Sequence, residues 1–360
     1  MAKTTLTTLR RFVEEFSDHE FWVGADVHKR SYHIALYRVD GKVQTFVCPA
    51  HPTTLLRQLQ GLNISIAGFT YEAGPTGFSL ARILQTAGIE VFVAAPSRIP
   101  RPVLHGTKTD RLDCIKLAEY IAKGMIKPIA IPTEKQEAKR ALMRRRHLLV
   151  DSVRKCKQRI KGHLLFLGID DPPELRNWTN NVSEALLALP MDIAAKLTFE
   201  SFLRELAFLR AELKIVEKNL AEAVHQDDES QRIIACLKTV PGVGTVVATS
   251  FCMELFRPER FARAQEVTSY LGLAPVVHHS GEKNPSGKLK PVGQRRLRSL
   301  LVEAAWLWKA RDGYAQKIYN RLLSKIGIAQ KAIVALARKL AVILWKLCME
   351  QRPYRKVAAA

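Results

Sequence analysis

The chain of 360 residues is long enough for two folded domains, and its apolar fraction of 47% and charged fraction of 25% are ordinary for a globular protein. Its 56 Lys and Arg residues against 34 Asp and Glu give a formal net charge of +22 at pH 7, which predicts a polyanionic partner, nucleic acid before membrane. The six cysteines lack the C-x-x-C spacing of a zinc site, and no stretch is typical of a signal peptide or a membrane span. We therefore expect a cytoplasmic protein with no membrane partner.

The first part of the chain, after an N-terminal extension of residues 1–19, alternates between strands and helices. Residues 21–48 predict a three-stranded meander, with "DGK" as its second turn. Residues 52–95 predict helix and buried strand in alternation, and a further helix follows. This order is typical of a mixed α/β domain of the ribonuclease-H or resolvase (RuvC-like) type, which we place at residues 20–130.

Four carboxylates in this domain form a candidate metal site. Asp26 and Glu72 end two predicted strands, and Asp110 and Asp113 lie three apart at the start of the next helix. Each alone is explained by a cap or a turn, but together they predict Mg²⁺, and two ions can serve both sides of a phosphodiester. We interpret His28 as a neighbour of the site rather than as a ligand.

Residues 131–230 predict long helices. The segment "IPTEKQ" carries a capping box of Thr133 and Gln136 that begins a helix reaching about residue 167. Residues 135–161 contain 11 basic residues and only two acids, so a strongly basic helix lies inside a region that is nearly neutral as a whole.

A heptad seam follows this basic helix. Two interpretations are open: a helical hairpin packed on residues 135–167 of the same chain, or a coiled coil that joins two chains. The apolar residues of the seam are Phe199, Phe202, Leu206, Leu209, Leu213, Val216 and Leu220.

Residues 231–349 predict a mainly helical domain, and we expect the tail that follows, residues 350–360, to be flexible. The domain and tail together contain 23 Lys and Arg residues. The segment "VPGVG", with Gly242 and Gly244, favours a helix-hairpin-helix that contacts nucleic-acid backbones. Ser280 in "HHSGEKNPSGK" is a candidate nucleophile, and Ser286 is an internal rival in the same Ser-Gly context. The basic residues that follow Ser280 are Lys283, Lys288, Lys290, Arg295, Arg296 and Arg298.

The chain has a family resemblance over about residues 20–345. It rests on the motifs "GADVHK", "YEAGPTG", "KTDRLDCIKLAEY", "VPGVGTVVA" and "YLGLAPVVHHSGEK", the last followed by "GQRRLRSLLVEAAW". The chain resembles the DEDD-type insertion-sequence transposases, which are described as bridge-RNA-guided recombinases. The resemblance implies that Asp26, Glu72, Asp110 and Asp113 bind Mg²⁺ and that Ser280 becomes covalently joined to DNA. It also implies a tetramer assembled from dimers, and a non-coding guide RNA that pairs with donor and target double-stranded DNA.

On this interpretation the basic helix and the C-terminal third become candidate RNA- or DNA-binding surfaces. Two alternatives stay open: a junction-type nuclease that hydrolyses DNA with metal-activated water, and a non-enzymatic scaffold whose acids are helix caps. The candidate contacts on the basic helix are Arg140, Arg144, Arg145, Arg146, Arg154, Lys155, Lys157, Arg159 and Lys161.

Overall fold

The computed structural model describes residues 6–16, 19–100, 110–179, 181–275, 289 and 293–355. The chain divides into two compact units, residues 1–132 and residues 133–360. The first unit contains a mixed sheet with helices, and the second is mainly helical. The coarse fold class expected from the sequence, an α/β domain followed by a mainly helical part, is confirmed.

The elements of the first unit follow the predicted alternation closely. Its strands are β1 (Glu20–Val27), β2 (Ser31–Tyr37), β3 (Val43–Pro49), β4 (Ser65–Glu72) and β5 (Val91–Ala94). Its helices are α1 (Leu6–Glu14), α2 (Pro52–Gln60), α3 (Ser79–Thr86) and α4 (Asp110–Ala122).

The five strands form one sheet in the order β3-β2-β1-β4-β5. The first three strands pair antiparallel as a meander, whereas β4 and β5 run parallel to β1. The parallel strands are joined through α2 and α3, as parallel pairing requires. Strands β1, β4 and β5 therefore end at the same edge of the sheet.

Alternation along β1 divides the sheet into two faces. Val23 and Ala25 are fully buried in the apolar core with residues of α1, α2 and α3. Trp22, Gly24 and Asp26 lie at the intervening positions and so face the opposite side, which α4 covers.

Residues 1–19, expected from the sequence to be an N-terminal extension, contain a helix that belongs to this core. In α1 the side chains of Leu9 and Val13 are only 5% and 6% exposed, and Phe12 and Phe16 pack against the same cluster. These four positions follow the spacing of one helical face, which explains why the segment packs on the sheet.

The approach of α4 to the sheet depends on a glycine. A Cβ atom at Gly24 would overlap the carbonyl oxygen of Cys114 and would lie 2.5 Å from the amide nitrogen of Ala118. Cys114 and Ala118 are fully buried one helical turn apart, so the backbone of α4 rests directly on the backbone of β1.

The second unit contains ten α-helices among its described residues. They are α5 (Glu134–Phe166), α6 (Glu174–Asn177), α7 (Val182–Leu187), α8 (Ile193–His225), α9 (Asp228–Lys238), α10 (Thr245–Leu255), α11 (Ala264–Tyr270), α12 (Arg295–Arg311), α13 (Gly313–Ile326) and α14 (Ala329–Glu350).

The predicted capping box begins α5. The hydroxyl of Thr133 accepts from the backbone amide of Gln136, and the side chain of Gln136 accepts from the amide of Thr133. The helix then runs for 33 residues, and α8 has the same length. At 1.5 Å per residue each helix is about 50 Å long.

The heptad seam of α8 packs on α5 of the same chain. Phe199 is fully buried and Leu206 is 3% exposed, and both share a core with Cys156 and Ile160 of α5. The seam is therefore used within the chain, as the hairpin interpretation proposed. The exposed apolar residues of α8 lie elsewhere on the helix, and they include Ile193, Leu197, Phe208 and Ile215.

The helices from α9 to α14 enclose the largest core of the chain. Trp308 of α12 is fully buried, and α14 contributes the fully buried Leu336, Leu340 and Leu344. Although α14 has 22 residues, no helix in the described ranges combines the length and hydropathy needed to cross a membrane.

We predict that Gly24→Ala loosens α4 from the sheet, because the added methyl group overlaps the helix backbone and overpacking typically costs about 1–3 kcal/mol. Hydrogen exchange measured by mass spectrometry should be faster in peptides that cover β1 and α4. Gly162→Ala is the matched control: this exposed glycine inside α5 has no atom within 4 Å of the point where a methyl group would lie, and alanine should stabilise the helix by about 0.5–1 kcal/mol. Unchanged exchange in α4 of Gly24→Ala would contradict the direct backbone packing.

Candidate active site

Two of the predicted acids lie side by side at the carboxyl edge of the sheet. The parallel register of β1 and β4 pairs Ala25 with Tyr71, so the next residues, Asp26 and Glu72, lie at the same level. Both follow a residue that faces the apolar core, and alternation therefore directs both toward the α4 side of the sheet.

Helix α4 brings the other two acids to this edge. Asp110 is its first residue and Asp113 lies in its first turn, where carboxylates interact favourably with the helix dipole. The backbone contact at Gly24 lies one turn further along the helix, at Cys114 and Ala118. The start of α4 is thereby held beside the end of β1.

A compact group of ligand atoms results. The Nε2 atom of His28 lies 3.0 Å from the Oδ2 atom of Asp26 and 3.5 Å from the Oδ2 atom of Asp110. One ligand atom from each of these three residues lies within 4.8 Å of the other two. His28, interpreted from the sequence as a neighbour, thus lies inside the group.

A second histidine completes the surroundings of Asp110. His33 pairs with Asp26 across the β1–β2 ladder, and its Nε2 atom lies 3.7 Å from the Oδ2 atom of Asp110. The rings of His28 and His33 meet edge to face, with their centroids 6.2 Å apart. Sequence reasoning missed His33, although the alternation in "SYHIALY" places it on the same face as Ala35, which α4 covers.

The remaining two acids differ in their placement. Asp113 is half-buried and close enough to Asp26 to influence its ionisation. Glu72 is exposed and is not a member of the three-residue group, although the strand register places it beside Asp26.

The electrostatic environment of Asp26 disfavours its charged form. Burial is the largest effect and raises the pKa of this carboxyl. His28 opposes the change through its charge and hydrogen bond, whereas Asp110 and Asp113 raise the pKa further, and the net result is a raised pKa. A cation bound beside Asp26 would oppose these effects and favour the charged carboxylate.

The donor set fits a divalent cation. Carboxylate oxygens are the preferred protein ligands of Mg²⁺ and Mn²⁺, and imidazole nitrogen is a common ligand of transition metals. Asp26 is only 22% exposed whereas Asp110 is 54% exposed, so one side of the group is open for substrate oxygens.

The candidate nucleophile cannot be placed in the same way. Ser280 and its rival Ser286 lie outside the described residues. The same holds for three predicted nucleic-acid contacts, Lys283, Lys288 and Lys290.

Most basic residues of α5 are engaged inside the second unit. Their charges are compensated by acids on α5 itself, on α8 or in the loop after α5, and one stacks on an aromatic ring. The pairs are Arg146 with Glu217, Arg154 and Lys155 with Asp151, Arg159 with Glu205, Lys161 with Asp171, and Lys157 with the ring of Trp178.

Two more arginines of α5 hold a buried carboxylate of α10. Arg140 and Arg144 lie 3.2 Å and 3.0 Å from the carboxylate of Glu254, whose side chain is only 9% exposed. Burial acts to raise the pKa of Glu254, but the hydrogen bonds and charges of Arg144 and Arg140 outweigh it and the net pKa is lowered. These arginines therefore join α5 to α10, a role that the charge pattern alone did not reveal.

Three predicted basic contacts remain on the surface. Arg145 of α5 and Arg295 and Arg296 of α12 are exposed and have no acidic partner among the described residues. Arg298 instead donates to the carbonyl oxygen of Gly272, 3.1 Å away. The first turn of α12 contains no acid, so this end of the helix is strongly positive.

The two glycines of "VPGVG" have different environments. Gly242 has a positive φ of 87°, and a Cβ atom there would lie 2.6 Å from the backbone nitrogen of Trp308 and 2.8 Å from Leu307. Gly242 is thus required by the packing of this turn on α12. Gly244, the residue before α10, is exposed and has open space where a Cβ would lie.

Two family models match the chain and together span more than half of it. Residues 23–168 match the transposase model of the DEDD, IS110 type. Residues 234–320 match the model described as Transposase IS116/IS110/IS902 family. The first match contains all four predicted acids, and the second contains both Ser280 and Ser286.

Similar proteins have names of the same kind. The chain is 30% identical to "Putative transposase y4qE" of Sinorhizobium fredii over 311 residues, which cover 79% of this chain and 76% of the relative. It is 31% identical to "Putative transposase y4rJ" of the same organism over 300 residues, covering 76% and 75%. It is 27% identical to the transposase for insertion sequence element IS1533 of Leptospira borgpetersenii over 345 residues, covering 93% and 97%.

We predict that Asp26→Asn weakens binding of a divalent cation by about tenfold or more, since it removes a charged ligand at the centre of the group. In the unsubstituted protein the affinity should decline as the pH falls through the pKa of Asp26, because protons and cations compete for the same oxygens. That pKa is raised above 3.8, so the decline should begin at a higher pH than an ordinary aspartate would give.

Calorimetric titration with Mn²⁺ at a series of pH values measures both effects. Glu20→Gln is the control, because Glu20 is exposed at the opposite end of β1, about 20 Å away at the usual rise per residue. Equal affinities for Asp26→Asn and Glu20→Gln would contradict a metal site at this edge.

We predict that substitutions at two neighbouring arginines of α5 affect different properties, nucleic-acid binding for one and stability for the other. Arg145→Ala should weaken nucleic-acid binding and reduce the salt dependence of binding by about one counterion, with little change in stability. Arg144→Ala should lower the free energy of unfolding by about 1–3 kcal/mol, because Glu254 loses a charged partner in a buried position. Filter binding at several salt concentrations and urea unfolding separate the two, and an equal loss of affinity in both variants would contradict this division.

Proposed function

Because the chain belongs to the family of DEDD-type insertion-sequence transposases and is therefore a DNA transposase, we propose that it exchanges DNA strands through a covalent phosphoserine intermediate. The observation that carries the proposal is the convergence of Asp26 and Asp110 from separate segments at one edge of the sheet, inside the region that matches the DEDD model. The family membership supplies the expectation that Ser280 is the nucleophile.

We propose that Asp26, Glu72, Asp110 and Asp113 hold Mg²⁺, as two ions. The first three lie at one edge of the sheet or in the first turn of α4, and Asp113 influences the ionisation of Asp26. When bound, the metal supplies Lewis-acid stabilisation of the negative charge that develops on the phosphate oxygens. The carboxylates would hold the metal in place, and the raised pKa of Asp26 is consistent with a carboxylate whose charged form a bound cation would favour.

In the proposed first step, the hydroxyl oxygen of Ser280 attacks the scissile phosphorus. A new oxygen–phosphorus bond forms to the serine, the bond to the 3′ oxygen of the DNA breaks, and the serine proton is transferred to a base. The 3′ oxygen takes up a proton and leaves as a 3′-hydroxyl. Basic residues near the serine in sequence, such as Lys283, would balance the charge of the transition state.

In the proposed second step, a 3′-hydroxyl of the partner DNA attacks the phosphoserine. The bond between phosphorus and the serine oxygen breaks, a new phosphodiester forms, and the serine regains its proton. One phosphodiester is exchanged for another, so the reaction needs no external energy source.

We propose that the substrates are donor and target double-stranded DNA and that a guide RNA pairs with both. If RNA pairing reads the sequence, the protein needs only to bind backbones, which suits exposed arginines such as Arg145, Arg295 and Arg296. Arg140 and Arg146, which are only 13% and 14% exposed and paired with acids, contribute little to such a surface, and Gly244 remains available for a backbone contact at the start of α10.

We propose that the protein acts as an oligomer, a dimer that assembles to a tetramer. Large apolar side chains are exposed where α5 ends and α8 begins: Leu165 is 81%, Phe166 82% and Ile193 73% exposed. Large exposed apolar side chains of this kind are candidates for a protein contact surface. Because the heptad seam already packs on α5, contacts between chains would use these residues rather than the seam.

The second candidate is a metal-dependent nuclease that hydrolyses DNA with water. It is favoured because all four predicted acids belong to the first unit, whereas the serine loop belongs to the second. In that reaction Ser280 would have only a structural role, and no protein–DNA adduct would form.

We predict that a covalent protein–DNA adduct forms with labelled donor and target DNA in the presence of Mg²⁺. The protein should be produced together with its flanking element sequence, so that any guide RNA is present. On denaturing gels the slow-migrating band should be lost in Ser280→Ala, which lacks the nucleophile, and in Asp110→Ala, which lacks a metal ligand. It should persist in Ser286→Ala, the matched control in the same loop.

Cleaved DNA ends without an adduct, at equal yield in Ser280→Ala, would favour the nuclease. An adduct that persists in Ser280→Ala but not in Ser286→Ala would assign the nucleophile to Ser286.

A further inference from the structure

His28 is the member of the ligand group that the four-acid pattern does not include. Its Nε2 atom is the ligand atom that lies between the two aspartates, 3.0 Å from Asp26 and 3.5 Å from Asp110. We propose that His28 is a nitrogen ligand of the metal centre and that it makes this centre prefer Mn²⁺ to Mg²⁺. The inference rests on the proposed function, in which Asp26 and Asp110 hold a divalent metal.

The separations fit shared coordination of one ion. In octahedral coordination with metal–ligand distances of about 2.1 Å, adjacent ligand atoms are about 3 Å apart. The contact between His28 and Asp26 has this separation, and the contact between His28 and Asp110 exceeds it by about half an ångström. A cation can therefore bind between these atoms with small side-chain adjustments.

The backbone directs His28 to this position. His28 is the first residue after β1 and follows Asp26 by two, and its side chain lies beside Asp26 on the side of the sheet that carries Asp110. The short turn into β2 is held by a hydrogen bond from the amide of His28 to the carbonyl oxygen of Ser31. The side chain is 50% exposed, which leaves the imidazole free to turn toward an ion.

His33 is close but differently placed. Its Nε2 atom lies 3.7 Å from Asp110, and it is not a member of the three-residue group whose ligand atoms lie within 4.8 Å of one another. Its ring instead meets the ring of His28 edge to face. His33 is a second imidazole at the same edge of the sheet but outside the ligand group, and it is therefore the matched control for the experiment below.

The choice of metal follows from the chemistry of the ligands. Mg²⁺ is a hard cation that favours oxygen ligands and keeps several waters, whereas imidazole nitrogen is a better ligand for transition metals. Replacing one oxygen position by nitrogen therefore favours Mn²⁺ relative to Mg²⁺. Two carboxylates in the same group keep the site within the range of both ions.

The experiment is pulsed electron paramagnetic resonance on the full chain loaded with Mn²⁺, which detects magnetic coupling between the ion and a directly bound nitrogen. We expect nitrogen coupling in the unsubstituted protein and in His33→Ala, and none in His28→Ala. Nitrogen coupling that persists in His28→Ala would overturn the proposal, as would its absence from the unsubstituted protein. Far-UV circular dichroism checks that each variant is folded.

Competition calorimetry with Mn²⁺ and Mg²⁺ tests the preference itself. His28→Ala should lower the Mn²⁺ affinity about tenfold and leave the Mg²⁺ affinity nearly unchanged. His28→Asp, which makes the group all oxygen, should bring the two affinities close together. Equal Mn²⁺ and Mg²⁺ affinities in the unsubstituted protein would overturn the preference.

The outcomes also separate this inference from the proposed function. Mn²⁺ that binds in an Asp26-dependent way without nitrogen coupling leaves the acidic metal site intact and removes only the role of His28. Failure of any divalent ion to bind would remove the metal site as well.

Discussion

The direct contact between the backbones of α4 and β1 is the constraint on which the candidate active site depends. At Gly24 the strand carries no side chain, and any Cβ atom would collide with the helix at Cys114 and Ala118. Asp110, the first residue of α4, lies one turn before Cys114. The distance between the backbones of α4 and β1 therefore decides whether Asp110 can approach Asp26. A glycine in the middle of a strand normally weakens it, and here the loss is offset by the placement of the helix that carries two of the acids.

The basic residues of α5 in the second unit are less available for binding than the sequence suggests. Most of the Lys and Arg residues on α5 are paired with acids of α8, of α10 and of α5 itself, and the acids of α5 and α8 also lie within the nearly neutral residues 131–230. Buried pairs such as Arg140 with Glu254 join α5 to α10 and cannot also bind phosphate without leaving a buried charge unpaired. A basic run in a sequence is therefore a measure of available charge only after its acidic partners have been subtracted.

The sequence predicted the elements better than it predicted their partners. The strand meander, the buried strands and the capping box at Thr133 depend on local alternation and local hydrogen bonds, which a sequence displays directly. The position of His33 beside Asp110 depends on strand pairing, and the engagement of Arg144 by Glu254 joins residues 110 positions apart. Such contacts become visible only when the register and the helix packing are known. The seam of α8 was ambiguous for the same reason, because its spacing suits a helix of the same chain and a helix of another chain equally well.

The acidic group at Asp26 and Asp110 and the exposed arginines of the second unit have opposite charges, which affects how the proposed reaction could begin. The acidic group at Asp26 and Asp110 repels DNA phosphates as long as no cation is bound, whereas exposed arginines such as Arg145 and Arg296 attract them. A bound cation would offset part of this negative charge and would let a phosphate approach the proposed metal site, so metal binding and substrate positioning would be coupled. A chain with a net charge of +22 attracts DNA over much of its surface, and the proposed metal site would add a location where binding depends on the metal.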